Sequence, residues 1–250
     1  CEPDSHSCAS DHNLGNFPNS VPIGAISLQN LHNSGNNGSG IKIGIVDSGI
    51  KEDSDGSNKH ETFTCSVTGG SKISDQKDIA RGDSIAEDEI GHGTTVAGVC
   101  AGFVSRDGGG VFNYIGSAPD AQMAIAKFAY KDNGVEHWKA DLFAEAIKWC
   151  VDSVGVDILV ITTTWGGDSY PYNGYNRAAR WCDWAAKQGV IVCVAAGNDF
   201  NPPVSFIYAP AGNFNGITVS ATRPDGNAIA GYSMHGPAKD GRLKPDIAAA

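Results

Sequence analysis

Short apolar runs alternate with longer helix-forming segments along most of the chain. The runs lie at residues 41–46, 122–128, 156–162, 190–195 and 216–221, and the first of them is rich in β-branched residues. Runs of this length and composition predict buried strands. The segments that predict helices lie at residues 94–101, 139–154 and 175–188. Strands that are apolar on both faces and alternate with helices are typical of an α/β fold, a mostly parallel sheet with helices on both faces.

The polar segments between these elements predict loops and one terminal arm. The loops are expected at residues 33–40, 53–59, 75–89 and 106–110, where Gly, Asn, Ser and Asp are frequent. Residues 1–20 are polar throughout and predict an N-terminal surface arm. The chain has 250 residues, of which 41% are hydrophobic. This length suits one large α/β domain, which we place at residues 21–250.

Charge and hydropathy exclude two classes of partner. The formal net charge is −10. Proteins that bind nucleic acid usually present a basic face, so the acidic balance predicts no nucleic-acid partner. No uninterrupted apolar run is long enough to cross a bilayer, which predicts no membrane span.

Seven cysteines are many for a cytosolic protein and predict disulfides formed in an oxidising compartment. Cys1 with Cys8, and Cys150 with Cys182, are candidate pairs, and the sequence leaves the connectivity open. Cys193 lies in an apolar run and is expected to be a buried small hydrophobe. Because the first residue is Cys1, we expect a removed signal peptide or pro-segment, or a longer chain upstream. The expected protein is therefore secreted or extracellular in its processed form.

A carboxylate follows the first predicted strand. Asp47 comes directly after Ile45 and Val46 and precedes Ser48 and Gly49. In parallel α/β sheets, active groups gather at the carboxyl ends of the strands. An Asp at a strand end also commonly forms a turn or a cap. Asp47 alone leaves both interpretations open.

An imidazole opens the first small-residue helix. His92 lies between Gly91 and Gly93, and small neighbours allow another chain to approach closely. An imidazole can take a proton from a hydroxyl and return it to a leaving group. A capping or buried histidine is the alternative. The six other histidines lack such a setting and are assigned no role.

An amide ends a later strand. Asn198 follows Ala195, Ala196 and Gly197 after an apolar run. An Asn at this position commonly forms a turn. The alternative is a side-chain N–H that donates to an oxyanion developing during a reaction.

Five motifs containing these residues occur in a fixed order along the chain. They are Asp47-Ser48-Gly49, Gly91-His92-Gly93-Thr94-Thr95-Val96-Ala97-Gly98, Thr164-Trp165-Gly166-Gly167, Ala195-Ala196-Gly197-Asn198 and Lys244-Pro245-Asp246-Ile247. Together they resemble the catalytic domain of subtilisin-like serine proteases, the subtilase family, from about residue 21 onward. Each motif alone is weak, but five in family order at predicted strand ends or helix starts are specific. The resemblance implies a subtilisin-like three-layer fold, incomplete at its C-terminus, and serine endopeptidase activity.

The resemblance also implies a role for each position. Asp47 would hold the imidazole of His92 in the required tautomer, and His92 would act as general base and then general acid. Asn198 would donate its side-chain amide to the oxyanion. Substrate would add as an extended β-strand, through main-chain hydrogen bonds. The substrate-binding positions implied are Thr164, Trp165 and Gly166 on one wall, and Ala195, Ala196 and Gly197 on the other.

The family nucleophile is the exception to this match. It lies in Gly-Thr-Ser-Met-Ala-x-Pro, and the 250 residues contain no such motif. Ser233-Met234 resembles part of it, but falls in the segment that precedes Lys244-Pro245, so Ser233 is not assigned as the nucleophile. We expect the serine in a segment beyond residue 250. A companion polypeptide, such as the second part of a nicked precursor, would carry it.

Two functions therefore stay open. The first is a serine endopeptidase with an Asp-His-Ser triad that acts on protein or peptide substrates. The second is a catalytically inactive subtilisin-like binding or regulatory module, against which the intact Asp47, His92 and Asn198 speak. A nucleotide-binding α/β domain is remote, because no Gly-x-Gly-x-x-Gly follows any strand.

No cofactor is expected for the chemistry itself. Many members of the family bind structural calcium in surface loops, so calcium is an expectation from the resemblance. Carboxylates in acidic loops are supplied by Asp53, Asp55, Asp83, Asp88 and Glu89. Their spacing does not match an EF-hand loop, and a solvated acidic surface explains them equally well. The metal ligands are therefore left unknown.

Overall fold

The structure is a computed structural model. It describes residues 28–51, 61–64, 70–103, 105–107, 110–112, 115–165, 173–198, 206–223 and 225–249. The chain divides into two compact units, the first ending at Trp138 and the second beginning at Lys139. The predicted surface arm at residues 1–20 and the loop at 53–59 lie outside the described residues.

Three parallel strands form the centre of the first unit. They are strands β1 (Lys42–Asp47), β2 (Ile73–Asp78) and β5 (Gln122–Lys127), in the spatial order β2, β5, β1. The unit also contains helix α1 (Leu28–Asn33), a 3₁₀ turn (Glu61–Phe63), helix α2 (His92–Ala101), and strands β3 (Ser105–Asp107), β4 (Gly110–Phe112), β6 (Ala129–Asp132) and β7 (Val135–Trp138). Strands β3 and β4 form one antiparallel hairpin, and β6 and β7 form another.

Burial explains the central position of β5. The side chains of Ile45, Val46, Met123 and Ile125 are completely buried, as expected for strands that are apolar on both faces. Helix α2 packs on β1 and β5 through its small residues, among them the buried Ala97. The register places the last residues of β1, β5 and β2 opposite one another. Their carboxyl ends therefore lie together.

The second unit repeats the alternation of strands and helices. Its elements are helix α3 (Ala140–Lys148), a π-helical segment (Trp149–Val154), strand β8 (Ile158–Ile161), helix α4 (Arg177–Lys187), and strands β9 (Ile191–Ala195), β10 (Ile217–Ala221) and β11 (Ile247–Ala249). These four strands are parallel and lie in the order in which they occur along the chain. Asn176 caps helix α4, since its side-chain oxygen accepts a hydrogen bond from the Ala179 N–H at 2.9 Å.

The predicted α/β class, a mostly parallel sheet with helices, is confirmed. Every strand predicted from an apolar run is present, and its observed ends lie within two residues of the predicted ones. Among the described residues, the helices are too short or too polar to cross a bilayer.

Four details of the prediction are wrong. The expected loop at residues 75–89 begins inside β2, a polar strand at the edge of its unit's parallel strands that has no apolar run to mark it. The loop expected at 106–110 overlaps β3 and β4, and the β6–β7 hairpin was not predicted. The helix expected at 139–154 changes from α to π geometry at Trp149, because apolar periodicity does not distinguish these two hydrogen-bonding patterns.

The predicted Cys150–Cys182 disulfide is also wrong. Neither residue forms a disulfide, and both side chains are buried in the second unit. Cys193 is only half-buried rather than fully enclosed. Burial raises the pKa of the Cys182 and Cys193 thiols, which keeps both in the inert protonated form. Cys1 and Cys8 lie outside the described residues.

Candidate active site

The carboxylate of Asp47 is held rigidly at the end of β1. Its side chain is 1% exposed, and its Oδ1 accepts a hydrogen bond from the Ser48 N–H at 2.7 Å. A buried carboxylate requires donors to offset its lost hydration. Part of this compensation comes from the adjacent backbone, which also limits rotation of the carboxylate.

The second donor to Asp47 is the imidazole of His92. The distance between His92 Nδ1 and Asp47 Oδ1 is 2.7 Å. Because a buried carboxylate accepts here, the Nδ1 atom carries the proton and the Nε2 atom is left as the acceptor. The imidazole side chain is 45% exposed, so one side of the ring remains accessible. This is the arrangement of a general base that is oriented by a carboxylate.

Electrostatics favours the protonated form of His92. The hydrogen bond to Asp47 is the largest cause that raises the pKa of this imidazole. Burial acts in the opposite direction, and the negative charges of Asp47, Asp88 and Glu136 raise the pKa further. A higher pKa makes the imidazole a stronger base and stabilises the imidazolium formed after proton transfer.

Two glycines allow the histidine helix to approach β1. A Cβ on Gly93 would lie 2.3 Å from the carbonyl oxygen of Gly49, so a side chain at this position would push the helix away. Gly49 itself has φ +114, and a Cβ there would lie 2.3 Å from the Ala86 oxygen. The glycines next to Asp47 and His92 therefore permit the 2.7 Å contact between their side chains.

A buried carboxylate, Asp88, connects the segment that carries Asp47 with the segment that carries His92. Its Oδ1 accepts hydrogen bonds from the hydroxyl of Ser48 at 2.9 Å and from the Gly91 N–H at 2.8 Å. Its Oδ2 accepts from the Thr94 N–H at 2.9 Å. The Ser48 hydroxyl in turn accepts from the Gly93 N–H at 2.8 Å. These bonds fix the turn after Asp47 to the start of the helix that carries His92.

Asp88 remains ionised in this network. Burial by itself raises the pKa of this carboxyl, but hydrogen bonds from Thr94, Gly91 and Ser48 outweigh burial and lower the pKa below its usual value. The sequence analysis recognised Asp88 only as a carboxylate in an acidic loop. Its position four residues before His92, at the start of a helix, was the available signal.

An aromatic side chain from the β6–β7 hairpin covers part of the imidazole. The Trp138 and His92 ring centroids are 5.7 Å apart, with the ring planes at 88°. Trp138 also contacts the completely buried Phe128 edge to face, at 5.8 Å. The sequence analysis missed Trp138, because its proximity to His92 depends on a hairpin that was not predicted.

The remaining predicted site residues lie in the second unit. Asn198 follows β9 and is exposed, so its side-chain amide is accessible to solvent. Gly197 before it has φ +114, and its oxygen accepts a hydrogen bond from the Met234 N–H at 2.9 Å. Ala196 is buried and is hydrogen-bonded to Val219 and Tyr208. These bonds hold the backbone that leads to Asn198.

Trp165 is bound to its own chain. Its N–H donates to the Ala209 oxygen at 2.7 Å, and its oxygen accepts from the Ala209 N–H. Its indole packs against the buried Phe143, with ring centroids 5.1 Å apart. Both main-chain groups of Trp165 are thus occupied by a hydrogen-bonded partner within the second unit. Gly166 lies outside the described residues.

Ser233 and the acidic residues considered for calcium were left without an assigned role. Ser233 is buried, and its hydroxyl accepts a hydrogen bond from the Ala221 N–H at 2.9 Å, which is consistent with leaving it unassigned as nucleophile. Of the acidic residues considered for calcium, Asp88 is fully used by protein donors and Glu89 pairs with Arg81. Within the described part of the chain, no group of three His, Cys, Asp or Glu side chains fits a metal ion.

Residues 38–250 match the model of the subtilase family of peptidases. This chain belongs to the subtilase family. It is 29% identical to serine protease AprX of Bacillus subtilis over 224 residues, covering 85% of the chain and 46% of AprX. It is also 29% identical to thermitase of Thermoactinomyces vulgaris over 203 residues, covering 81% of the chain and 62% of thermitase. The chain thus spans less than two thirds of either relative.

Solved structures agree with this assignment. The S41 psychrophilic protease superposes with a TM-score of 0.63 and 25% identity, over 93% of this chain and 73% of that one. MycP1, with its N-terminal propeptide removed, also gives a TM-score of 0.63, over 92% of this chain and 69% of that one, but at 16% identity. The subtilisin-like fold is therefore shared even where the sequences have diverged widely.

Proposed function

We propose that this subtilase is a serine endopeptidase in which Asp47 and His92 form two members of an Asp-His-Ser triad. The observation that carries the proposal is the 2.7 Å contact between Asp47 Oδ1 and His92 Nδ1, made at a strand end and a helix start. In this role His92 Nε2 takes the proton of a serine hydroxyl as the serine attacks a peptide carbonyl. His92 then returns the proton to the leaving amine.

Asn198 is proposed to donate its side-chain N–H to the oxyanion of the tetrahedral intermediate. Its exposure and its position after β9 support this role. Extended peptide substrate is proposed to bind along Thr164, Trp165 and Gly166 on one wall. The other wall is proposed to be Ala195, Ala196 and Gly197.

The nucleophilic serine is proposed to lie in a Gly-Thr-Ser segment beyond residue 250. Support comes from the absence of this motif in the 250 residues, although the other family motifs are present in order. A companion polypeptide carrying the segment is the proposed partner. Intact mass spectrometry of protein isolated from its natural source would show whether such a segment accompanies this chain.

The decisive experiment is labelling by a fluorophosphonate probe, which reacts only with an activated serine. Protein that includes the Gly-Thr-Ser segment is expected to be labelled at that serine, and His92→Ala is expected to abolish labelling. His137→Ala is a matched control, because His137 stacks on Tyr130 rather than contacting Asp47. Absence of labelling with the serine present would contradict the proposal and favour the inactive binding module.

Two further properties, secretion and calcium binding, are also proposed. Secretion is proposed from the cysteine count, although Cys150 and Cys182 form no disulfide, which removes one argument for it. The fraction of protein recovered from culture medium tests this directly. A structural calcium ion, if bound, is proposed to use residues other than Asp88, whose oxygens accept protein hydrogen bonds. A melting temperature that stays unchanged on chelation would contradict a calcium requirement.

A further inference from the structure

We propose that Glu136 and Trp138 form a positioning pair that holds the imidazole of His92 in its catalytic orientation. This inference rests on the proposed function, since it assigns a role beside the same histidine. Neither residue belongs to the five family motifs from which the site was predicted. Both lie on strand β7 of the β6–β7 hairpin.

The two faces of strand β7 make different contacts. Side chains alternate along a strand, so Glu136 and Trp138 project from one face and His137 from the other. On the second face, His137 stacks on Tyr130, with ring centroids 4.9 Å apart. On the first face, Trp138 meets His92 edge to face at 5.7 Å. On β7, the contact with His92 is therefore made from the face that carries Glu136 and Trp138.

Trp138 is also linked to Asp47 through Phe128. Its indole contacts the Phe128 ring at 5.8 Å, and the Phe128 N–H donates to the main-chain oxygen of Asp47 at 3.0 Å. The side chain of Asp47 holds His92 Nδ1. A closed circuit of contacts therefore runs from Asp47 through Phe128 and Trp138 to His92 and back to Asp47. Such a circuit limits rotation of an imidazole that is otherwise 45% exposed.

Glu136 orients the indole of Trp138 and adds a negative charge that acts on His92. Its Oε2 accepts a hydrogen bond from the Trp138 indole N–H at 3.2 Å, which fixes the rotation of the indole and the place of the carboxylate together. The charged groups that act on His92 are Asp47 from β1, Asp88 from the segment before α2, and Glu136 from β7. All three are negative and raise the pKa of His92. Unlike the buried Asp47 and Asp88, Glu136 is exposed, so it can be substituted without disturbing the core.

The first test is steady-state kinetics on the full-length protein, including the segment with the serine. Trp138→Ala is expected to lower kcat by roughly 10- to 100-fold with KM nearly unchanged, because the reacting imidazole is no longer oriented. Trp138→Phe retains a ring and is expected to stay within about threefold of wild type by the same argument. Trp181→Phe removes an indole from α4 and is the control for general loss of a tryptophan.

The second test is the pH dependence of His92, measured both by kcat/KM and by NMR titration of the imidazole. Glu136→Gln is expected to move the acid limb to lower pH, which raises kcat/KM below the midpoint about two- to threefold relative to wild type. In the Trp138→Phe background this gain is expected to shrink, because the carboxylate has lost its indole anchor. Glu145→Gln, an exposed substitution of equal charge in the second unit, is the control and is expected to leave the titration unchanged.

The outcomes separate this inference from the proposed function. An unaltered His92 titration in Glu136→Gln, an equal gain in both backgrounds, or an unaltered kcat in Trp138→Ala would overturn the positioning pair. The NMR titration requires no turnover. If hydrolysis is absent but the titration moves as expected, the electrostatic part of the pair stands and the proposed function alone fails.

Discussion

Asp47 and Asn198 each follow or end a strand, and the protein holds their side chains in place in different ways. Asp47 is buried and is held by side-chain and backbone donors, with Asp88 and Ser48 fixing the segments on either side. Asn198 is exposed and follows a backbone in which Ala196 donates to Val219 and Gly197 accepts from Met234. The first arrangement fixes a charge, whereas the second leaves a neutral donor accessible to a ligand.

The proposed roles of Asp47 and Asn198 predict different contributions of the two regions to rate. A buried carboxylate that orients a base acts on the tautomer and charge of that base throughout the reaction. An exposed amide that donates to an oxyanion stabilises only the charge that develops in the transition state. Substitutions in the two regions should therefore differ in magnitude and in their effect on the pH dependence.

The largest effect is expected from Asp47→Asn. Loss of the charge removes the preference for the Nδ1–H tautomer and is expected to lower kcat by ~10⁴-fold. It should also lower the pKa of His92, because the hydrogen bond to Asp47 is the main cause that raises it. Steady-state kinetics and NMR titration of His92 would measure these two changes.

Asp78→Asn is the matched control for Asp47→Asn. Asp78 is equally buried, ends strand β2 of the same unit, and pairs with Lys127 at 2.9 Å instead of with a histidine. Its substitution should reduce stability while leaving kcat within a few-fold of wild type. Equal loss of kcat in both variants would show that burial of charge at the strand ends, rather than the contact with His92, supports activity.

An intermediate effect is expected from Asn198→Ala. Removal of one oxyanion donor typically lowers kcat by ~10²–10³-fold, a figure that comes from subtilisin itself. KM and the acid limb of the pH profile should be unchanged, in contrast to Asp47→Asn. Asn227→Ala, another exposed asparagine of the second unit, is the control. A KM effect of similar size would indicate ground-state binding instead of oxyanion stabilisation.

The smallest of the three effects on turnover, but the largest on folding, is expected from Asp88→Ala. The change leaves donors of Ser48, Gly91 and Thr94 without their acceptor and should lower the free energy of unfolding by about 3 kcal/mol at neutral pH. Because the folded pKa of Asp88 is lowered, its stabilisation is complete above the unfolded pKa of about 4. It is lost as the pH falls through the folded pKa.

Urea unfolding of Asp88→Ala and wild type at several pH values checks this sign. The difference between the two proteins should narrow toward acid pH. Asp83→Ala, an exposed carboxylate of the same segment, should remain within about 0.5 kcal/mol of wild type. A difference that widens in acid would mean that Asp88 is protonated in the folded protein.

The sequence by itself determined the five strands that have apolar runs, the fold class and the residues of the family motifs. Apolar runs such as residues 122–128 identify buried strands, because a strand covered on both faces must be apolar on both. The motifs around Asp47 and His92 could be recognised in the sequence because glycine, aspartate and histidine each supply a property that few other residues share. The edge strand β2 was missed for the converse reason, since its polar residues have no periodicity that burial would impose.

Only the tertiary structure decided which groups act together. Asp47 and Ser48 lie 40 or more positions from Asp88, His92 and Trp138 in sequence, and no local pattern encodes distances of 2.7 Å or 5.7 Å. It also decided that Cys150 and Cys182 form no disulfide, although the sequence left this pairing open. Sequence patterns report the environment that each residue needs. Contacts between distant residues depend on how the strands and helices pack, which single-residue preferences do not specify.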